Sequence, residues 1–151
     1  MDKLEVLRKC DMFRALDEKQ LKVVEKMCTT EVLEPGAIVC KQEVVGGKLY
    51  VIEEGLVGII LEVGPLSQRQ VQSASNFEVF GWSSMIEPFT CTATVKAIEK
   101  TKVLAFEGQE VHGLCVSNPA IGCRVHSGLA RVIAERLRHA YNQLLGVTSQ
   151  I

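Results

Sequence analysis

Six cysteines, at positions 10, 28, 40, 91, 115 and 123, and three histidines, at 112, 126 and 139, are the residues of this 151-residue chain best suited to ligate a metal or carry redox chemistry. Their spacing argues against both. No two cysteines form a C-x-x-C pair, and the histidines all fall in the last third of the sequence, so no compact ligand set is expected. Free, buried thiols are the expectation, because reduced cysteine behaves as a small hydrophobe. Nucleophilic and nucleotide-hydrolysing chemistry lacks its signatures too, with no Ser-His-acid order, Walker loop or G-x-G-x-x-G after a strand. A cupin-type metal enzyme would need histidines on strands, and none occurs before residue 112. The expectation is a protein that is not an enzyme. A single tryptophan, Trp82, either stacks on a planar ligand or fills a cavity with apolar surface.

Composition bounds the rest. A net charge of -1 with 23% charged residues gives no overall attraction to nucleic acid. No apolar run is long enough to span a bilayer, and Met1-Asp2-Lys3-Leu4-Glu5 does not open like a signal peptide. A cytoplasmic protein with neither membrane nor direct nucleic-acid partner is expected. The length suits one domain, divided into N-terminal helices at 1–28, a β-roll at 29–107 and C-terminal helices at 108–146.

Apolar residues from Leu4 to Cys28 recur at three- and four-residue steps with a break near Cys10-Asp11, predicting two helices. The second starts at Asp17, with Gln20 as its capping-box partner. Glu34-Pro35-Gly36 marks the change to strand. Between 37 and 106, short β-rich runs are separated by turns at Gly46-Gly47, Gly55 and Gly64-Pro65, which suits an antiparallel roll. Strands are predicted at 30–34, 37–41, 48–53, 56–63, 69–74, 92–98 and 101–106. Asn118-Pro119 opens a long helix, whose apolar stripe from Ile121 to Leu145 ends at Gly146. At 1.5 Å per residue this helix is about 40 Å long, more than one small roll can cover. Its second half, Arg131 to Leu145, carries basic residues on one side and aliphatics on the other, so a homodimer through this helix is expected. The alternative is a helix that folds back on its own roll.

Two stretches carry a resemblance. Gly46-Gly47-Lys48-Leu49-Tyr50-Val51-Ile52-Glu53-Glu54-Gly55 is similar to the Gly-Asp-x-Leu-Tyr-x-Ile-x-x-Gly run of cyclic-nucleotide-binding domains. Residues 80 to 97 resemble that family's phosphate-binding cassette, with Phe80-Gly81 at its opening and Thr92-Ala93-Thr94-Val95-Lys96-Ala97 at its close. The resemblance extends to nearly the whole chain and implies an α+β fold: an antiparallel double-stranded β-helix, or jelly roll, with N-terminal helices and a long C-terminal helix. It also implies dimerisation through that helix, as in relatives of the catabolite activator type. Those relatives append a helix-turn-helix domain for DNA contact beyond that helix, and direct DNA contact is not expected of this chain alone.

The cassette departs from the family at two ligand positions. Trp82 stands where the family has its ribose-binding Glu, and Cys91 where it has its phosphate-binding Arg. The resemblance implies a ligand site formed by Phe80, Gly81, Trp82, Ser83, Ser84, Cys91 and Thr92, with amides and hydroxyls still able to meet an anion. Cys91, beside that anion site, is a thiol whose pKa the site could lower. Cysteine cannot imitate the two parallel charge-assisted bonds of Arg. Losing one partner of a buried charge pair costs roughly 2 to 5 kcal/mol, on the order of 30-fold to several thousand-fold in affinity. Lys96, Arg69 and Lys41 are the cations that could replace it, and Glu87 would repel phosphate if it pointed inward. Two readings stay open: a regulatory module sensing a small or cyclic-nucleotide-like ligand, with weak or no binding of ordinary cyclic AMP or GMP, and a dimeric interaction protein with a vestigial pocket. A redox or metal sensor is a third, since some relatives hold iron-sulfur clusters or haem. The sequence leaves the cofactor unknown.

Overall fold

A computed structural model describes residues 1–146 of the chain. Asp2 caps α1 (Lys3–Lys9) by accepting from the Leu4 amide. Asp17 and Gln20 form the expected capping box of α2 (Glu18–Glu25), each side chain accepting from the other's backbone amide. Eight strands follow: β1 (Cys28–Leu33), β2 (Ile38–Cys40), β3 (Lys48–Glu54), β4 (Leu56–Gly64), β5 (Ser67–Ser75), β6 (Val79–Phe80), β7 (Thr94–Ala97) and β8 (Thr101–Glu107). Two helices close the chain, α3 (Gly108–Ser117) and α4 (Pro119–Leu144).

The strands form two four-stranded antiparallel sheets, in the orders β1-β8-β3-β6 and β2-β7-β4-β5. This is the α+β jelly roll that the resemblance implies. β3 reads as a nearly continuous apolar run because both of its faces are covered. Tyr50 and Ile52 point between the sheets, where they meet Phe80, Val57, Val95 and Val103. Leu49 and Val51 point outward, with Leu104 and Phe106 of β8, into a second core under the helices. Alternation with a period of two therefore sends one strand into both cores. Phe13 reaches this second core from the helical side, its ring centroid 5.6 Å from that of Phe106.

The first half of α4 is built into the same core through Ile121, Val125 and Leu129. Gly128 permits this, because a Cβ there would lie 2.6 Å from the Met12 carbonyl oxygen. The second half differs from the expected overhang. Arg136 donates to the Val79 carbonyl at 2.7 Å, Gln72 donates to the Arg136 carbonyl at 3.0 Å, and Gln143 donates to the Val71 carbonyl. Polar side chains thus lay this segment along β5 and β6 of its own roll. Leu137, Tyr141, Leu144 and Leu145 face away and stay exposed.

Two further differences concern elements. The short β6, paired to β3 through Val79 and Phe80, has too few residues to show a period and escapes sequence reading. The strand predicted at 92–98 begins only at Thr94. No helix among the described residues is long and apolar enough to cross a membrane.

Candidate functional site

The cassette begins where β6 ends. Gly81 adopts φ +80° in the left-handed region, and a Cβ there would meet the Lys48 carbonyl oxygen at 2.5 Å. Glycine is required at this corner on both counts. The chain then makes a single 3-10 turn, Trp82–Met85. Ser84 is spent on the scaffold: its hydroxyl donates to the Gly81 carbonyl at 2.8 Å, and its own carbonyl accepts from the Gln109 side chain at 3.2 Å. It is fully buried against Gly108 and does not border the cassette cavity.

Five of the seven expected site residues do come together. Phe80, Gly81, Trp82, Ser83 and Thr92 line one cavity, with Cys40, Ile59, Ala93, Val95 and Arg136. The cavity is small, about 40 Å³. Ligand pockets run from roughly 300 to 1,000 Å³, so this space falls short of a nucleotide by nearly an order of magnitude. Tyr50 and Phe80 stack beneath it with ring centroids 4.8 Å apart.

Cys91 corrects the expectation of free thiols. It forms a disulfide with Cys40, 51 residues earlier, and therefore does not titrate as a low-pKa thiol. The cause is the sheet arrangement. β2 pairs with β7, with Cys40 opposite Val95, which carries Cys40 to the cassette's return path. The loop after β2 is then sewn to that path by Glu43 N to Cys91 O at 2.9 Å, Cys91 N to Val44 O at 2.9 Å and Gly46 N to Phe89 O at 2.8 Å. Position 91 is consequently walled in, with the place of a Gly46 Cβ only 2.9 Å from its sulfur. A long guanidinium side chain has no room there without moving this loop.

The other cysteines are free. Cys10, Cys28 and Cys115 are buried, and Cys123 is exposed. Burial pushes the Cys10 thiol up to about 12 and raises those of Cys28 and Cys115. Three thiols are thereby kept protonated and inert at neutral pH. Among the described residues no group of three or more His, Cys, Asp or Glu is placed to share a metal ion.

None of the expected substitute cations borders the cassette cavity. Lys41 is exposed and lies 3.8 Å from Glu62, while Lys96 and Arg69 are exposed on β7 and β5. Glu87 is exposed as well. The cation at the cavity is Arg136 of α4, which the candidate set lacks. Its guanidinium carbon lies 4.8 Å from the centroid of the Trp82 ring, a cation-π contact that closes the cavity from the helix side. Burial pushes Arg136 below the usual guanidinium value, opposed by nearby Glu78, and the group stays charged. Its position held a signal: Arg136 falls four residues after Val132 and three after Ile133, inside the inward stripe of α4.

The profile of the family described as Cyclic nucleotide-binding domain matches residues 30–118. A putative cyclic nucleotide-binding protein from Geobacter metallireducens GS-15 is structurally similar, with a TM-score of 0.79 and 24% identity over 91% of this chain and 99% of that one. A cyclic nucleotide-binding domain from Methylobacillus flagellatus KT aligns with a TM-score of 0.83 and 18% identity, over 97% of this chain and 82% of that one. Thermus thermophilus Catabolite Activator Protein aligns with a TM-score of 0.74 and 23% identity, over 89% of this chain and 61% of that one. At these identities the three likenesses show the fold alone. Among curated proteins no sequence matches. The profile covers more than half of the chain, including β3 and the whole cassette, and on that ground the chain belongs to the cyclic nucleotide-binding domain family.

Proposed function

We propose that this chain is a non-enzymatic regulatory module of its family whose cassette does not take ordinary cyclic AMP or cyclic GMP at signalling concentrations. One observation carries the reading. The space bordered by Phe80, Gly81, Ser83 and Thr92 amounts to about 40 Å³ and is closed by Trp82 and Arg136. The cassette Arg that would reward phosphate binding is replaced by a disulfide-bonded Cys91, so no charge-assisted fork offsets the opening of this cavity.

Thermal unfolding tests the proposal. At 1 mM nucleotide, a site with a dissociation constant of about 10 µM would add about 2.7 kcal/mol, a rise of roughly 5 to 10 °C for a domain this size. The expected result is no such rise with either nucleotide. A rise of that size with cyclic AMP or cyclic GMP overturns the reading.

The exposed stripe Leu137, Tyr141, Leu144 and Leu145 supports a second reading, an interaction module that pairs with another copy of itself. The polar contacts of Arg136 and Gln143 orient this stripe away from the roll, where a second helix could cover it. Sedimentation equilibrium is expected to give twice the chain mass for the wild type and the chain mass for Leu144→Glu. A monomeric wild type at tens of micromolar, on the order of standard interface affinities, overturns it.

A further inference from the structure

Arg136 belongs to a helix, yet it borders three separate cavities. Besides the cassette space, it lines a groove of about 510 Å³ between β5 and the second half of α4, and a space of about 240 Å³ beside Glu78 and Val132. A guanidinium has five N–H donors. Among the described residues only one finds a protein acceptor, the Val79 carbonyl at 2.7 Å. No carboxylate of the described residues lies within ion-pairing distance of it. Withdrawing such a charge from water is costly, and one carbonyl with one indole face offsets that cost only in part. Nothing in the cassette reading explains why the cation sits where a large groove begins.

We infer that the groove between β5 and the second half of α4 binds a small organic anion, a carboxylate or a phosphate, through Arg136. The rigid fork of Arg suits the paired oxygens that both groups present. The groove's volume lies within the usual range for small-molecule sites, which the cassette cavity does not reach. Its other walls set the ligand's character. Gln70 and Asn142 offer amides to a neutral, hydrogen-bonding body, while the Gln72 amide is held on the Arg136 carbonyl at 3.0 Å. Two carboxylates also face the groove. Glu135 is paired with Arg138 at 2.6 Å, and Glu78 accepts from the Ser75 amide at 3.0 Å and its hydroxyl at 3.3 Å. Arg136 and Arg138 match Glu78 and Glu135 in formal charge, so the wall is balanced, which favours one compact anionic group over a polyanion. Because Arg136 lies on Trp82, an anion that engages the guanidinium is read directly by the cassette.

The test titrates inorganic phosphate, succinate and AMP, each to roughly 10 mM, where a site with a dissociation constant of 1 mM is about nine-tenths filled. Thermal midpoint and the emission of Trp82, the only tryptophan, are the readouts. At least one of the three is expected to move both signals in the wild type, and Arg136→Gln is expected to weaken that binding at least about 30-fold. Silence from all three, or equal binding by the variant, overturns the inference. Should Arg136→Gln fail to fold, Arg136→Lys decides, since it keeps the charge and loses the fork. About tenfold weaker binding is expected there, and unchanged binding overturns the inference. The inference rests on the closed-cassette reading only in that the indole holds the guanidinium at the groove. A thermal rise with cyclic AMP would overturn that reading, whereas the three probes with the Arg136 variants decide this one.

Discussion

Phe106→Ala is expected to lower the unfolding free energy by about 3 to 5 kcal/mol, the usual cost of emptying a buried phenylalanine site. The ring is buried on β8, opposite Cys28 in β1 and Leu49 in β3, so it stands at the centre of its sheet. It also meets Phe13, from the turn between α1 and α2, and thereby joins the helical layer to the roll. Neither neighbour can collapse into the gap without moving a strand. At a few degrees per kcal/mol, the midpoint should fall on the order of 10 °C. Urea melts of the variant beside Val32→Ala, a half-exposed position on β1 with an expected change within about 0.5 kcal/mol, check the result. A loss below about 1.5 kcal/mol for Phe106→Ala would mean that the two layers are joined by something other than this pair.

Opening the Cys40–Cys91 bridge is expected to cost about 2 to 4 kcal/mol. The crosslink closes a span of 51 residues, and the chain-entropy account assigns a span of that length roughly 4 kcal/mol by confining the unfolded chain. A double variant, Cys40→Ala with Cys91→Ala, should therefore melt earlier by an amount close to that seen when the wild type is reduced with dithiothreitol. Thiol titration in denaturant gives the direct count: four thiols before reduction and six after it. Six thiols before reduction, or identical melts with and without reductant, would remove the bridge from the account.

What the sequence disclosed follows the range of each signal. Capping at Asp17 and Gln20, the helix start at Asn118-Pro119, and the alternation of Leu49 to Ile52 are local, and the structure bears them out. The cassette frame was legible because Gly81 answers a steric demand that no other residue meets. The Cys40–Cys91 bridge was not legible, since its partners are brought together by the β2–β7 pairing and no local spacing encodes that. The resemblance places Ser84 at the ligand, but its hydroxyl is consumed by the backbone turn that precedes it. Arg136 escapes sequence reading for the opposite reason: a charge on α4 resembles part of a basic face, whereas the period of the apolar stripe turns it inward onto Trp82.

Gly128 gives the long helix a fulcrum. At that point α4 is pressed against the carbonyls of Asp11 and Met12, the core grips it as far as Val132 and Ile133, and among the described residues polar contacts hold the rest of the rod to the roll. At 1.5 Å per residue, Arg136 stands about 12 Å along the helix from Gly128 and Leu144 about 24 Å. A tilt of the rod about Gly128 would therefore displace its apolar end about twice as far as the guanidinium that lies on the indole.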